Sequence, residues 1–213
     1  MNVEKKILLK QGVRLIGLTG GIATGKTTVS NYLANAYQLP ILDADVYARE
    51  AVEPEQPIFA RIVEHFGVRV LLSNGSLDRH ELGNIVFSNA EELRWLEAQI
   101  HPYVRDRFLQ EITSYTSRQI QDMQPFTVVL AVPLLFEANL TDLASEIWVV
   151  YCPPAQQLER LQKRDRLNLT QAFNRINSQM PLAEKCQKAD FVLDNSKTLE
   201  FLFRQVDLLM VNG

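Results

Sequence analysis

The sequence predicts an α/β protein built on a parallel, doubly wound sheet. Short apolar runs without polar alternation, above all Phe126-Thr127-Val128-Val129-Leu130-Ala131-Val132, suit strands buried on both faces. Such runs alternate along the chain with segments whose apolar residues recur at helical spacing. The first of them, Arg14-Leu15-Ile16-Gly17-Leu18, leads into Gly20-Gly21-Ile22-Ala23-Thr24-Gly25-Lys26-Thr27. Val29, Tyr32, Leu33, Ala36 and Tyr37 then open a helix. Strand, glycine-rich loop and helix follow one another in the order that a phosphate-binding loop requires.

The chemistry of that loop follows from its residue types. Gly20 and Gly25 carry no Cβ, so the backbone can fold tightly and turn its N–H groups inward toward an anion. The helix N-terminus beyond adds roughly half a positive charge. Lys26 is placed to reach β- and γ-phosphates, and the Thr27 hydroxyl to sit on Mg²⁺. An ordinary glycine-rich turn before a helix would need neither the lysine nor the threonine.

Composition bounds the rest. The 213 residues suffice for one α/β domain with a small insertion. With 46% hydrophobic and 22% charged residues, the chain has the balance of a globular protein. A formal net charge of -3 argues against broad nucleic-acid binding while leaving room for a local basic pocket. No apolar run approaches the ~20 residues of a membrane span, so neither nucleic acid nor membrane is an expected partner. Cys152 and Cys186 stand in no metal-ligand spacing, and Met1 to Lys10 has no apolar signal core. A cytoplasmic setting with free thiols is the expectation.

After the loop helix, Leu39-Pro40-Ile41-Leu42 reads as a second strand ending in Asp43-Ala44-Asp45. A parallel strand delivers such residues to the carboxyl edge of the sheet, where ligands of open α/β sheets bind. One of the acids could instead cap the helix expected over Val46 to Ala51, so one structural and one chemical carboxylate are expected. From Pro54 to about Met123 the pattern is helical. Ile58, Ile62, Val63 and Phe66 form one stripe, Asp78 caps a second helix, and Asn89 caps a third. His101-Pro102 is read as the start of a further long helix through Val104, Phe108, Ile112 and Tyr115. This stretch exceeds one crossover and is expected to form an insertion over the acceptor side of the site.

The central strand follows, ended by Pro133, and then Ile147-Trp148-Val149-Val150-Tyr151, closed by Pro153-Pro154. Gln157 to Arg166 is a helix rich in cations: Arg160, Lys163, Arg164 and Arg166. Thr170 is expected to cap another helix, carrying Arg175 and Gln179. Most charge runs are solvated faces. This one, however, follows the fourth strand of a phosphate-loop sheet, where arginine suits a transferring phosphoryl group. Arg160 and Arg164 are the candidates for that clamp, ahead of Arg166 and Arg175. A fifth strand, Phe191-Val192-Leu193-Asp194, and a helix from Thr198 to Met210 complete the chain.

With these residues in place the chain resembles the dephospho-CoA kinase family from Leu15 to about Val206. The ordered pieces are Gly17-Leu18-Thr19-Gly20-Gly21-Ile22, Asp43-Ala44-Asp45 with Ala48-Arg49, Leu77-Asp78-Arg79, His101-Pro102, Pro133-Leu134-Leu135-Phe136-Glu137, Arg160 with Arg164, and Asp194-Asn195. The resemblance implies transfer of the γ-phosphoryl of ATP, with Mg²⁺, to the ribose 3′-hydroxyl of dephospho-CoA. It also implies a three-layer phosphate-loop kinase fold: a five-stranded parallel sheet in the core (1–53, 124–153, 189–213), a helical acceptor-binding insertion (54–123) and a helical lid (154–188). Carried over residue by residue, Gly21, Ile22, Ala23, Thr24, Gly25, Lys26, Thr27 and Thr28 bind nucleotide, with Asn195 near the adenine. Asp45, Lys26 and Arg164 are catalytic, Thr27 holds the metal, and Asp43, Asp45, Arg79 and His101 face the acceptor.

The sequence departs from the family pattern at two places. Ala23 stands where glycine is usual, and alanine holds to negative φ more strictly than glycine. Ala131 and Val132 stand where many members carry an aspartate, leaving Mg²⁺ to Thr27 and Asp43. Shikimate kinases also place Asp-x-Asp after their second strand, so that motif does not separate the two families. The helical insertion and the Pro133 to Glu137 turn favour dephospho-CoA as acceptor over another small-molecule kinase. A hydrolysing GTP switch would carry Asn-Lys-x-Asp, which this chain lacks.

Overall fold

The structure is a computed structural model that describes residues 13–119 and 126–211. The expected leaderless segment 1–10 and the last residues of the expected insertion, 120–123, lie outside these ranges. The chain divides into two compact units, residues 1–42 with 112–213 and residues 43–111.

The first unit carries the sheet. Its strands are β1 (Val13–Gly20), β2 (Ile41–Asp43), β3 (Phe126–Ala131), β4 (Glu146–Tyr151) and β5 (Phe191–Asp194), in the order β2-β3-β1-β4-β5. β1 lies in the middle and pairs in parallel with β3, Val13 opposite Phe126, and with β4, Ile16 opposite Glu146. Seven of its eight residues are buried, which is why it shows no alternation. Helix α1 (Lys26–Tyr37) and the last helix, α9 (Leu199–Val211), cover one face. Val29, Leu33, Leu202 and Val206 close there over Ile16, Leu18, Val129, Trp148, Val150 and Leu193. Tyr32 stacks on Phe203 at 4.0 Å, and the hydroxyls of Tyr32 and Tyr37 both donate to Asp207. Burial and that carboxylate push the Tyr37 phenol up to about 12.

Three shorter helices follow β4: α6 (Pro154–Asp165), α7 (Leu169–Asn177) and α8 (Leu182–Gln187). Proline opens α6 where its missing N–H is harmless. The expected cap at Thr170 is displaced: Asn168 caps α7, its side chain accepting from Gln171 N–H while Gln171 Oε1 accepts from Asn168 N–H. A reciprocal capping box satisfies two orphan amides and outcompetes a lone threonine.

The second unit holds α2 (Ala44–Glu50), α3 (Pro57–Phe66), α4 (Arg79–Ser88) and the start of α5 (Ala90–Gln119). Its own core joins Ala51, Ile58, Ile62, Phe66, Val70, Leu77, Leu82, Val86 and Leu96. The expected break at His101-Pro102 does not occur, because α5 runs unbroken through Pro102. A proline inside a helix removes one hydrogen bond and crowds the preceding turn. Here the buried residues Leu96, Val104 and Phe108 recur in helical phase on both sides of it, and packing of that stripe outweighs the local loss.

Candidate phosphate-binding site

The carboxyl edge of the sheet assembles the loop. Register places Gly20 opposite Val150, and Tyr151 opposite Asp194. The segments that leave β1, β4 and β5 therefore emerge side by side. The loop from Gly21 to Gly25 is gripped on its outer side by each of them. Asn195, just past β5, is buried and donates from Nδ2 to Thr24 O at 2.8 Å. Gln157, in the first turn of α6 and also buried, donates from Nε2 to Ile22 O at 2.9 Å. Thr24 donates to Gly21 O from both its N–H and its hydroxyl, and is itself buried.

With the carbonyls of Gly21, Ile22 and Thr24 satisfied outward, the amides of Ala23, Gly25, Lys26 and Thr27 have no acceptor among the described residues. They form a nest of donors at the opening of the twelve-residue helix α1. Lys26 is half-buried at the same helix end, and no described residue pairs its ammonium. This donor set fits a polyphosphate. Gly25 is required twice over: its φ is 107°, and a Cβ would collide with Asn195 Nδ2.

Ala23 takes φ 61°, the left-handed value that alanine adopts less readily than glycine. Its neighbours enforce the value, because Ile22 and Thr24 are both pinned by side chains from elsewhere in the chain.

The remaining candidates divide between the two units. Asn195 touches the loop, as above. Arg164 is hydrogen-bonded to Asp165 through Nε at 2.8 Å and through a terminal nitrogen at 3.1 Å, and Arg175 joins the same carboxylate at 2.8 Å. Arg164, first, holds the Asp165 carboxyl below its ordinary range. Arg160 donates to Asn195 O at 2.9 Å and so braces the turn after β5. In the second unit, Asp43 caps α2, its Oδ1 accepting from Asp45 N–H at 2.8 Å. The helix begins at Ala44, two residues before the expected start. Asp45 occupies its first turn. Arg79 opens α4 and binds Arg49 O and Glu53, and His101 is half-buried inside α5.

Two residues that grip the loop, Gln157 and Gln179, are expected from sequence only as helix positions, and Gln179 lies beyond its helix, which ends at Asn177. Gln179, just beyond α7, accepts from Ile22 N–H at 2.9 Å. Neutral amides carry no charge signature. For Gln157 the available signal was its place one turn beyond a strand that the register sets beside the loop.

A phosphate nest at the end of β1, the middle strand of a parallel sheet in this strand order, defines a phosphate-loop protein of the kinase fold. Comparison with known proteins narrows the class. The family model for dephospho-CoA kinase matches residues 14–200. The dephospho-CoA kinase of Trichormus variabilis is 55% identical over 197 residues, covering 92% of this chain and 96% of that one. That of Gloeobacter violaceus is 47% identical, covering 91% and 90%. Among solved structures, a dephospho-CoA kinase from Campylobacter jejuni superposes with a TM-score of 0.65 at 29% identity, covering 93% and 96%. A shikimate kinase from Acinetobacter baumannii, at 15% identity, TM-score 0.53 and 98% coverage of each chain, shares the fold alone. The chain belongs to the dephospho-CoA kinase family, whose members are ATP-using kinases.

The backbone of Ala23 yields a stability prediction. A left-handed L-residue carries ~1–2 kcal/mol of strain, and glycine returns part of that relief as unfolded-chain entropy. Ala23→Gly should therefore raise stability by about 0.5–1 kcal/mol in urea unfolding. A destabilised variant would mean that the conformation is unstrained here.

Proposed function

We propose that this protein transfers the γ-phosphoryl group of ATP to the 3′-hydroxyl of dephospho-CoA, giving coenzyme A and ADP, in the cytoplasm. The observation that carries the reading is the nest of amides beside Lys26 that have no acceptor among the described residues, in a chain of this family. The acceptor oxygen forms a bond to γ-phosphorus, the bond to the β–γ bridging oxygen breaks, and the hydroxyl proton passes to a carboxylate.

The amides of Gly25, Lys26 and Thr27 hold the inner phosphates, and Lys26 neutralises charge toward the terminal one. Thr27 offers an exposed hydroxyl suited to Mg²⁺, a hard cation that keeps most of its waters and takes its other ligands from phosphates. When bound, Mg²⁺ neutralises phosphate charge. Asp45 is the proposed base. Its support is the division of labour with Asp43, whose carboxylate already serves the helix cap. Residues 54–123, with Arg79 and His101, are assigned to the acceptor, and residues 154–188 to a lid.

The direct test is transfer itself. Purified protein should convert labelled ATP to ADP only when dephospho-CoA is present, and Lys26→Ala should lower the rate by ~10²–10³-fold, the usual loss of one preorganised donor. Hydrolysis independent of acceptor would refute the kinase reading.

The two acids separate in the same assay. Asn keeps the volume of Asp but takes no proton, so Asp45→Asn should lower kcat by at least ~10²-fold with nucleotide affinity unchanged. Asp43→Asn retains a capping carbonyl and should leave most of kcat. The reverse pattern would exchange the roles.

Arg164 is proposed to exchange Asp165 for the phosphoryl group. Because that contact needs the planar fork, Arg164→Lys should lose nearly as much rate as Arg164→Ala. Near-normal turnover in Arg164→Ala would make the segment a solvated face.

A further inference from the structure

The second glutamine on the loop points beyond these roles. Ile22 N–H can only donate, so the atom of Gln179 facing it is the oxygen, at 2.9 Å. The amide nitrogen, with two hydrogens, is turned away from that contact and has no partner among the described residues. Gln157 does the opposite, committing its Nε2 to Ile22 O. One glutamine thus commits its donor to the loop, while the other anchors by its acceptor and keeps its donors.

Gln179 is also held from behind. The next residue, Met180, donates its N–H to Glu137 Oε1 at 2.9 Å. Glu137 is ion-paired at 2.9 Å with Lys185, whose side chain is fully buried. Lys185 Nζ in turn donates to Pro133 O, the carbonyl that also accepts the hydroxyl of Thr19 at the end of β1. A side chain anchored at its tip and at its backbone pays little reorganisation when it meets a charge.

Its place on the loop selects which charge. The inner phosphates belong to the amides at the helix end, Gly25 to Thr27. Ile22 stands in the half of the loop nearer the strand, beyond Ala23 and Thr24, so a chain of phosphates that starts on the helix-end amides would bring its terminal group to this side. We propose that Gln179 is a further catalytic residue, a neutral hydrogen-bond donor whose Nε2 binds a non-bridging oxygen of the γ-phosphoryl group while Oε1 stays on Ile22 N–H. The proposal rests on the ATP-kinase reading above.

Two substitutions test it. Gln179→Glu keeps an oxygen for Ile22 N–H and removes the donor; Gln179→Met keeps the length and removes both. Measured are kcat with dephospho-CoA and the Kd for ADP, which lacks the γ-phosphoryl group. Both variants should lose ~10²-fold or more in kcat, while Gln179→Met binds ADP as the wild type does. Wild-type kcat in Gln179→Glu would show that the side chain acts only through Ile22, and overturn the proposal. Wild-type kcat in both variants, or a loss of ADP affinity in Gln179→Met matching its loss of kcat, would also overturn it. Wild-type protein that binds ATP without transferring phosphate fails the kinase reading instead, before either variant is compared.

Discussion

A loop that turns its N–H groups inward to an anion must turn its carbonyls outward into the protein, and those carbonyls need donors. That constraint organises the carboxyl edge of this sheet. The Gly21 carbonyl is met within the loop by Thr24, the Ile22 carbonyl by Gln157, and the Thr24 carbonyl by Asn195. The last two donors come from segments that follow β4 and β5. They reach the loop because the register brings the ends of β1, β4 and β5 level. The parallel sheet is thus more than a scaffold for the loop, since it delivers the side chains that keep the nest open before any anion arrives.

The same grip explains how a non-glycine residue persists at position 23. A left-handed alanine is unfavourable alone, and survives where the residues on each side are fixed independently. Ile22 is held at both its N–H and its carbonyl, and Thr24 through its carbonyl and its hydroxyl. The strain at Ala23 is small beside the set of buried hydrogen bonds that imposes it. Gly25 differs, because there both φ and the packing of Asn195 forbid a Cβ.

Local signals in the sequence were enough for the strands and the phosphate loop. Five apolar runs, a motif and its flanks define them; β1, β3 and β4, the most buried of the strands, leave no polar alternation to misread. What escaped depended on competition between local and distant terms. Pro102 reads as a helix start, yet the buried stripe from Leu96 to Phe108 carries the helix through it. Thr170 reads as a cap, yet Asn168 with Gln171 offers two bonds for one. Gln157 and Gln179 touch the loop from 135 and 157 positions away, and an uncharged amide leaves no periodicity or spacing to find. Asp43 and Asp45 remained interchangeable on spacing, and the cap bond to Asp45 N–H distinguishes one carboxylate.

The segment from α6 to α8 shows how tethering and reach are combined. Its ends are tied to the sheet edge: Gln157 to Ile22 at the start, Met180 and Lys185 to Glu137 near the close. Between them Arg164 and Arg175 are more than half exposed, and both lean on Asp165. A carboxylate between two guanidinium groups lowers their mutual repulsion while leaving a net positive charge, and exposed pairs of this kind contribute at most ~1 kcal/mol. Exchanging such a partner for a phosphoryl oxygen would therefore cost little, whereas breaking the Lys185–Glu137 pair would leave the fully buried Lys185 ammonium with the Pro133 carbonyl alone. The exposed ion pairs thus lie on the outer stretch of the segment, and the pair with the fully buried lysine lies where the segment is tied to the sheet.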